Sequence, residues 1–262
     1  MTRIYTFVNQ KGGVGKTTTT INLGSYLAQL GQRVLVVDLD PQANATSCLG
    51  VDKRTVQSGT YEALLSLASP TASILMNERL KMALLPSSPS LAGAEIELVD
   101  ELARETRLKK AIEGLDGRYD YILIDCPPSL GLLTVNGLVA ARDGVIIPVQ
   151  CEYLALEGLG QLTQTIQRVR AALFPELSVR GVVLTMFDPR TNLSTDVVAE
   201  VNRHFPEQVF KSIIPRSVRL AEAPSYGLPI SAYAANSVGA HAYEALAREL
   251  LAGDGAPLPV GD

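Results

Sequence analysis

Cysteine is scarce in this chain of 262 residues: only Cys48, Cys126 and Cys151 occur, too few and too scattered for a disulfide framework or a CxxC metal site. They read as reduced thiols. Long hydrophobic runs are missing as well. Segments such as 33–37 and 143–149 stop well short of the ~20 apolar residues that cross a bilayer. Residues 1–10 lack the basic start, apolar core and small-residue cleavage site of a secretory signal, so a cytoplasmic protein is expected. Histidine is limited to His204 and His241, both in predicted helices, where a structural or solvated role is the expectation. Charge is sparse too, at 19% of residues against 47% hydrophobic, with 23 basic and 27 acidic side chains giving a net charge of −4. That balance excludes a disordered or fibrous chain and allows one sizeable core.

Short β-rich runs alternate with longer stretches of helical period, the pattern of repeated βαβ units. Strands are expected at 4–8, 34–38, 82–85, 121–125, 144–149, 181–186 and 209–214, several of them apolar throughout, as strands covered on both faces must be. Helices are expected at 17–30, 92–115, 130–141, 156–173, 195–205 and 240–251, with Gly31 and Gly253 as stop signals. The fold class that follows is α/β, a mostly parallel twisted sheet flanked by helices on both faces. One domain spans 1–252, and the Gly- and Pro-rich residues 253–262 read as a loose tail.

The strongest local signal is Lys11-Gly12-Gly13-Val14-Gly15-Lys16-Thr17-Thr18, set between an apolar strand and a helix. Glycines let successive N–H groups turn inward around phosphate oxygens at the positive end of a helix. Lys16 then faces the β- and γ-phosphates, and the Thr17 hydroxyl is a ligand for Mg²⁺, which prefers oxygen. The strict GxxxxGK[ST] pattern is not met, because Gln10 stands where its first glycine belongs and a second lysine, Lys11, guards the entrance. Two further strands end in acids. Asp38 and Asp40 close the run 36–40 before Pro41, and Asp125 closes 121–125. Acids at strand carboxyl ends fit the ligand crevice of an open α/β sheet, and Asp125 in this form is a Walker B residue holding Mg²⁺ through water. Positioning and charge neutralisation suffice for phosphoryl transfer, and no Ser-His-Asp arrangement is needed.

The motif KGGVGKT resembles the deviant Walker A of the ParA/MinD class of ATPases, relatives of the nitrogenase iron protein. Segments 150–158, 184–191 and 214–224, with DLDPQANATS and DCPPSLGLLT, look like the chromosomal ParA (Soj) group from residue 4 to about 252. The resemblance implies that Lys11 reaches a partner's phosphates across a face-to-face homodimer. It also implies that Asp40 orients the attacking water, with Asp38 nearer the metal's water shell. Pro215 and its neighbours would frame adenine, although Ser217 stands where the family pattern has Asn. Further implied are ATP and Mg²⁺ as ligands, slow hydrolysis, nonspecific double-stranded DNA held by Arg190 and Arg219, and a ParB partner. Neighbouring Arg203 and Lys211 widen that DNA patch: residues 168–219 hold eight basic and five acidic residues, a local +3 against −7 elsewhere. Two rival readings stand. A MinD-like membrane switch needs a basic amphipathic C-terminal helix, which the tail GAPLPVGD does not supply. An iron–sulfur reductase would use Cys126 and Cys151, which read instead as packing residues.

Overall fold

A computed structural model describes residues 1–152 and 155–256. In chain order it runs through β1 (Arg3–Phe7), α1 (Lys16–Gln29), β2 (Val34–Asp38), the short helices α2 (Asn44–Cys48), α3 (Thr60–Leu64) and α4 (Pro70–Ser73), then β3 (Leu75–Asn77) and β4 (Met82–Leu85). The middle of the chain supplies α5 (Leu91–Glu97), α6 (Arg107–Glu113), β5 (Tyr121–Asp125), α7 (Leu132–Ala140), β6 (Val145–Gln150) and α8 (Ala155–Ala172). The rest gives β7 (Val179–Thr185), α9 (Asn192–His204), α10 (Val218–Glu222), α11 (Ile230–Tyr233) and α12 (Val238–Gly253). Among the described residues the strands form one seven-stranded sheet in the order β3-β4-β2-β5-β1-β6-β7, parallel except for the edge strand β3.

Every residue of β2 and β5 is buried, as parallel strands roofed on both faces require. Alternation then sorts the side chains. Tyr121 and Leu123 pack with Ile21 and Leu27 of α1 and Leu246 and Leu250 of α12 on one face. Ile122 and Ile124 pack with Leu91, Leu108 and Leu133 from α5, α6 and α7 on the other. Towards the β7 edge, Ile147 and Val182 bury Leu162 and Val201 of α8 and α9. The register sets the chemistry: Asp38 stands directly across from Asp125, and Asp125 pairs on its other side with Phe7, three residues before Gln10.

Four expectations need correction. Residues 209–214 do not form a strand. They run beside β7 with isolated bridges at Val209 and Pro215, because the Glu249 carboxylate, which also accepts from Lys211 N–H, takes the N–H of Ser212 that a ladder to β7 would use. The helix expected at 92–115 is broken after Glu97. Ala103 adopts a left-handed φ of 54°, and Asn136 of α7 bridges the gap by accepting from Leu108 N–H and donating to the Arg104 carbonyl. Strand β3, too short to show alternation, was not foreseen. Gly253 is the last residue of α12, not the first beyond it, and Asp254 behind it is tied down, accepting from Tyr5, Tyr121 and Arg180. Residues 257–262 of the expected tail, and Tyr153 and Leu154 of the segment 150–158, lie outside the described residues.

Candidate active site

The loop between β1 and α1 is shaped by glycine. Gly13 and Gly15 hold φ of 75° and 92°, closed to side chains without strain, and Gly15 is the N-cap residue of α1. With no side-chain cap, the first N–H groups of α1 are left for a ligand. Two residues outside the motif clamp this loop. Asn9 accepts from Lys11 N–H at 3.0 Å while donating to the Pro148 carbonyl of β6 at 2.8 Å. Thr185, the last residue of β7, donates to the Val14 carbonyl at 2.8 Å. Neither was singled out from sequence, since a lone Asn or Thr carries no signal until the sheet brings it to the loop.

The loop forms one wall of a cavity of about 360 Å³ lined by Gly12, Gly13, Gly15, Lys16, Thr17 and Thr18, and on the far side by Asp40, Gln42, Asn44, Cys48, Pro128, Met186 and Pro224. Val14 is buried beneath it. Lys16 is only 7% exposed, its ammonium donating to the Lys11 carbonyl at 3.3 Å. Burial lowers its pKa, against the pull of Asp125. Lys11, which opens the loop, is half-buried, and its ammonium makes no ion pair among the described residues. A second cavity of about 200 Å³ shares Gly15, Thr18 and Met186 with the first and adds Ile214, Pro215, Arg216, Ser217, Leu220 and Tyr243. Pro215 and Ser217 are thus brought to the loop as a largely apolar slot. A further cavity, of about 390 Å³ beside Ile4 and Ile122 near the amino ends of β1 and β5, holds none of the motif residues.

Under the loop lie the acids. Thr17 Oγ1 donates to Asp125 Oδ2 at 2.6 Å, and Thr20 Oγ1 to Asp125 Oδ1 at 3.3 Å. Burial first, then the charge of Asp38, pushes the Asp125 carboxyl up to about 8, although the Thr17 bond opposes this. Burial pushes Asp38 up to about 6, offset by Thr46, whose N–H and hydroxyl both donate to Asp38 Oδ2 at 2.7 Å. Asp40 Oδ1 accepts from Gln42 N–H at 2.9 Å. The Asp40 carbonyl accepts from the Ser87 hydroxyl at 2.8 Å, and Ser87 N–H donates to Thr46 Oγ1 at 2.9 Å. A relay from Asp38 through Thr46 and Ser87 to Asp40 therefore fixes both acids of the DLD segment. Thr46 and Ser87 are functional positions the sequence did not mark.

Three acids grouped near one buried lysine leave the floor short of positive charge, and that donor set fits a divalent cation beside Thr17. Among the described residues no cluster of three or more His, Cys, Asp or Glu is arranged to hold a metal unaided. A cation here therefore needs oxygens from a bound phosphate and from water, as Mg²⁺ prefers.

The other singled-out residues lie outside both cavities. Arg190 follows β7, Arg203 is in the last turn of α9, Lys211 lies in 209–214 and Arg219 is on α10, all exposed. Each arginine already holds an acid: Arg190 pairs with Asp188 at 2.7 Å, Arg203 with Glu200 and Arg219 with Glu222 at 2.9 Å. Cys126 and Cys151 are core residues whose thiols burial pushes up, Cys151 to about 11. Gly137 of α7 makes room for Cys126, since a Cβ there would stand 2.5 Å from its sulfur. No helix among the described residues is long and apolar enough to cross a membrane.

A family model described as an AAA domain matches residues 2–179. The chain is 52% identical over 252 residues to the sporulation initiation inhibitor protein Soj of Bacillus subtilis (strain 168), covering 96% of this chain and 99% of that protein. It is also 52% identical over 253 residues to the chromosome partitioning protein ParA of Myxococcus xanthus (strain DK1622), covering 96% and 89%. Among solved structures, cobyrinic acid a,c-diamide synthase from Mycobacterium smegmatis with bound ADP and magnesium matches with a TM-score of 0.86 at 40% identity over 100% of both chains. The higher identities fall on partitioning proteins. With a deviant phosphate loop at the carboxyl ends of a parallel sheet, this chain belongs to the Soj/ParA family of chromosome-partitioning P-loop ATPases.

Proposed function

We propose that the protein is a Mg²⁺-dependent, slow ATPase that dimerises around ATP, grips nonspecific double-stranded DNA as a dimer, and is released when a ParB partner stimulates hydrolysis. The observation that supports this best is the contrast between the two lysines. Lys16 is buried and turned inward on its own loop, whereas Lys11, half-buried at the start of the loop, carries an ammonium that no acid of the described residues engages. One amine then serves its own triphosphate and the other serves a partner's, so nucleotide itself becomes the glue between protomers.

In this reading the triphosphate lies on the N–H groups of 12–18, with adenine in the slot of Pro215 and Ser217. Serine keeps a backbone contact available but offers no amide to the base. Thr17, with Asp125 and Asp38 beside it, would hold Mg²⁺, which would supply charge neutralisation at the phosphate oxygens. Asp40, at the opposite wall, orients the attacking water. Two protomers pool their exposed bases, Arg190, Arg203, Lys211 and Arg219, against DNA phosphates, so binding is weakly sequence-dependent and steep in salt. The exposed ion pairs on Arg190 and Arg219 compete only weakly with DNA phosphates, and linking two such patches adds avidity.

The test is DNA binding at several salt concentrations with ATP, ADP or no nucleotide, alongside sizing of the Mg²⁺·ATP state. Binding and dimerisation that both need ATP uphold the reading. A chain that stays monomeric with saturating Mg²⁺ and a non-hydrolysable ATP analogue overturns it. The membrane-switch alternative predicts ATP-dependent binding to anionic vesicles in place of DNA.

A further inference from the structure

Between α5 and α6 the chain turns apolar side chains to water. Ile96, Val99 and Leu102 are 77%, 51% and 89% exposed within seven residues, while Leu91, Ala94 and Leu98 of the same stretch are buried. Acids separate the exposed three: Glu95, Glu97, Asp100 and Glu101. Across 91–107 there are five acids and two arginines, and both arginines are taken, Arg104 by Glu105 and Arg107 by Glu101. Asp100 has no ion-pair partner among the described residues. The break that displays this ridge is held in place, not frayed. Ala103 keeps a left-handed φ of 54° although it is not glycine, and Asn136 clamps the following turn to α7.

The ridge and the chain that leads into it meet both acid-bearing segments. Upstream, Ser87 bonds the Asp40 carbonyl and Thr46. Alongside, the Glu95 carboxylate lies against Gly131, the N-cap residue of α7 on the loop that leaves Asp125 and passes Pro128. Residues 95–102 thus touch the loop that leaves Asp125 through Glu95, and the chain that leads into them is bonded to the Asp40 carbonyl through Ser87.

We propose that this ridge is the docking surface for a basic, apolar-bearing segment of the protein that stimulates hydrolysis. The assignment rests on the ParB reading above. Charge decides the occupant: a ridge with a surplus of acid around apolar side chains complements lysine or arginine among hydrophobic residues. Self-pairing of the ridge would set acid against acid. Docking energy is then delivered to Asp40 and the Asp125 loop, which is where acceleration must act.

The experiment compares wild type with Ile96→Ser/Leu102→Ser and with Asp100→Lys, measuring ATP hydrolysis with and without the cognate ParB protein and DNA. These side chains are exposed, so urea midpoints and the ParB-free rate are expected to match wild type. The ParB-stimulated increment is expected to fall about tenfold in each variant. If ParB accelerates wild type and variants alike, the ridge assignment fails while the partner reading survives. If ParB fails to accelerate wild type, both fall. If the variants dimerise more weakly in ATP without ParB, the ridge belongs to a second copy of this chain and the assignment is overturned.

Discussion

Asp125→Asn separates what the fold wants from what catalysis wants. The wild-type carboxyl, ordinarily at 3.8, is pushed up to about 8 because it is wholly buried and faces Asp38. The folded chain then holds a proton that the unfolded chain releases near pH 4. Stability attributable to this group is complete below pH 4 and declines as pH rises towards 8, with a slope approaching 1.4 kcal/mol per pH unit. Over that window the loss is about 5 kcal/mol. Asparagine carries no such penalty, but it loses one of the two acceptors that serve Thr17 and Thr20, a cost of about 1 kcal/mol. The expected result, in EDTA and without nucleotide, is a crossing: variant and wild type are about equal near pH 5, and the variant is more stable by about 4 kcal/mol at pH 8.

Urea unfolding at pH 5, 6, 7 and 8 reads this directly. With Mg²⁺ and ATP the order is expected to reverse, since the wild type gains the binding energy of a charged floor and the variant gains less. Parallel pH profiles for the two proteins, or a variant that is less stable at pH 8, would refute the claim that Asp125 is held at a cost.

Three other substitutions probe the remaining assignments. Lys16→Ala removes the one buried cation of the cavity and should abolish nucleotide binding in a fluorescence titration; unchanged affinity contradicts the role given to it. Asp40→Ala should leave an ATP-bound dimer that hydrolyses at least about a hundredfold more slowly, visible as a persistent dimer by gel filtration; normal turnover removes Asp40 from the water-orienting role. Arg190→Glu with Arg219→Glu should weaken DNA binding and lower the log-salt slope by about 2 per protomer while sparing ATP-dependent dimerisation; an unaltered DNA affinity moves the contact surface elsewhere.

How far the sequence alone reaches depends on how local the determinant is. The apolar strand 121–125 ending in Asp125, the loop 11–18 and the run 34–38 are contiguous, so the central strands and the phosphate loop could be read with ends correct to about one residue. The break at 98–106 could not, because it rests on Asn136, about thirty residues away in sequence and adjacent only once α7 packs. The failed strand at 209–214 has the same cause: its apolar pattern is real, but Glu249 from α12 captures the backbone donors. Asn9, Thr46, Ser87 and Thr185 escaped notice for a chemical reason. Each acts through hydrogen bonds whose partners are chosen by the fold, and uncharged polar residues show no pattern until those partners are known.

These small polar residues explain why a costly site can persist in a folded chain. Asp38 and Asp125 stand side by side in register, wholly buried, and both bind protons more tightly than in water. Thr17, Thr20 and Thr46 lessen that burden without removing it, for hydroxyls bring dipoles and no charge. Full relief needs positive charge, and Lys16 alone is not enough. A divalent cation arriving with a triphosphate supplies it, so the strain on the empty floor converts into affinity for the loaded state. Because Asp38 is wired through Thr46 and Ser87 to the Asp40 carbonyl, loading the floor is expected to bear on the Asp40 wall as well. The burial that weakens the empty protein is thus what makes its conformation respond to nucleotide.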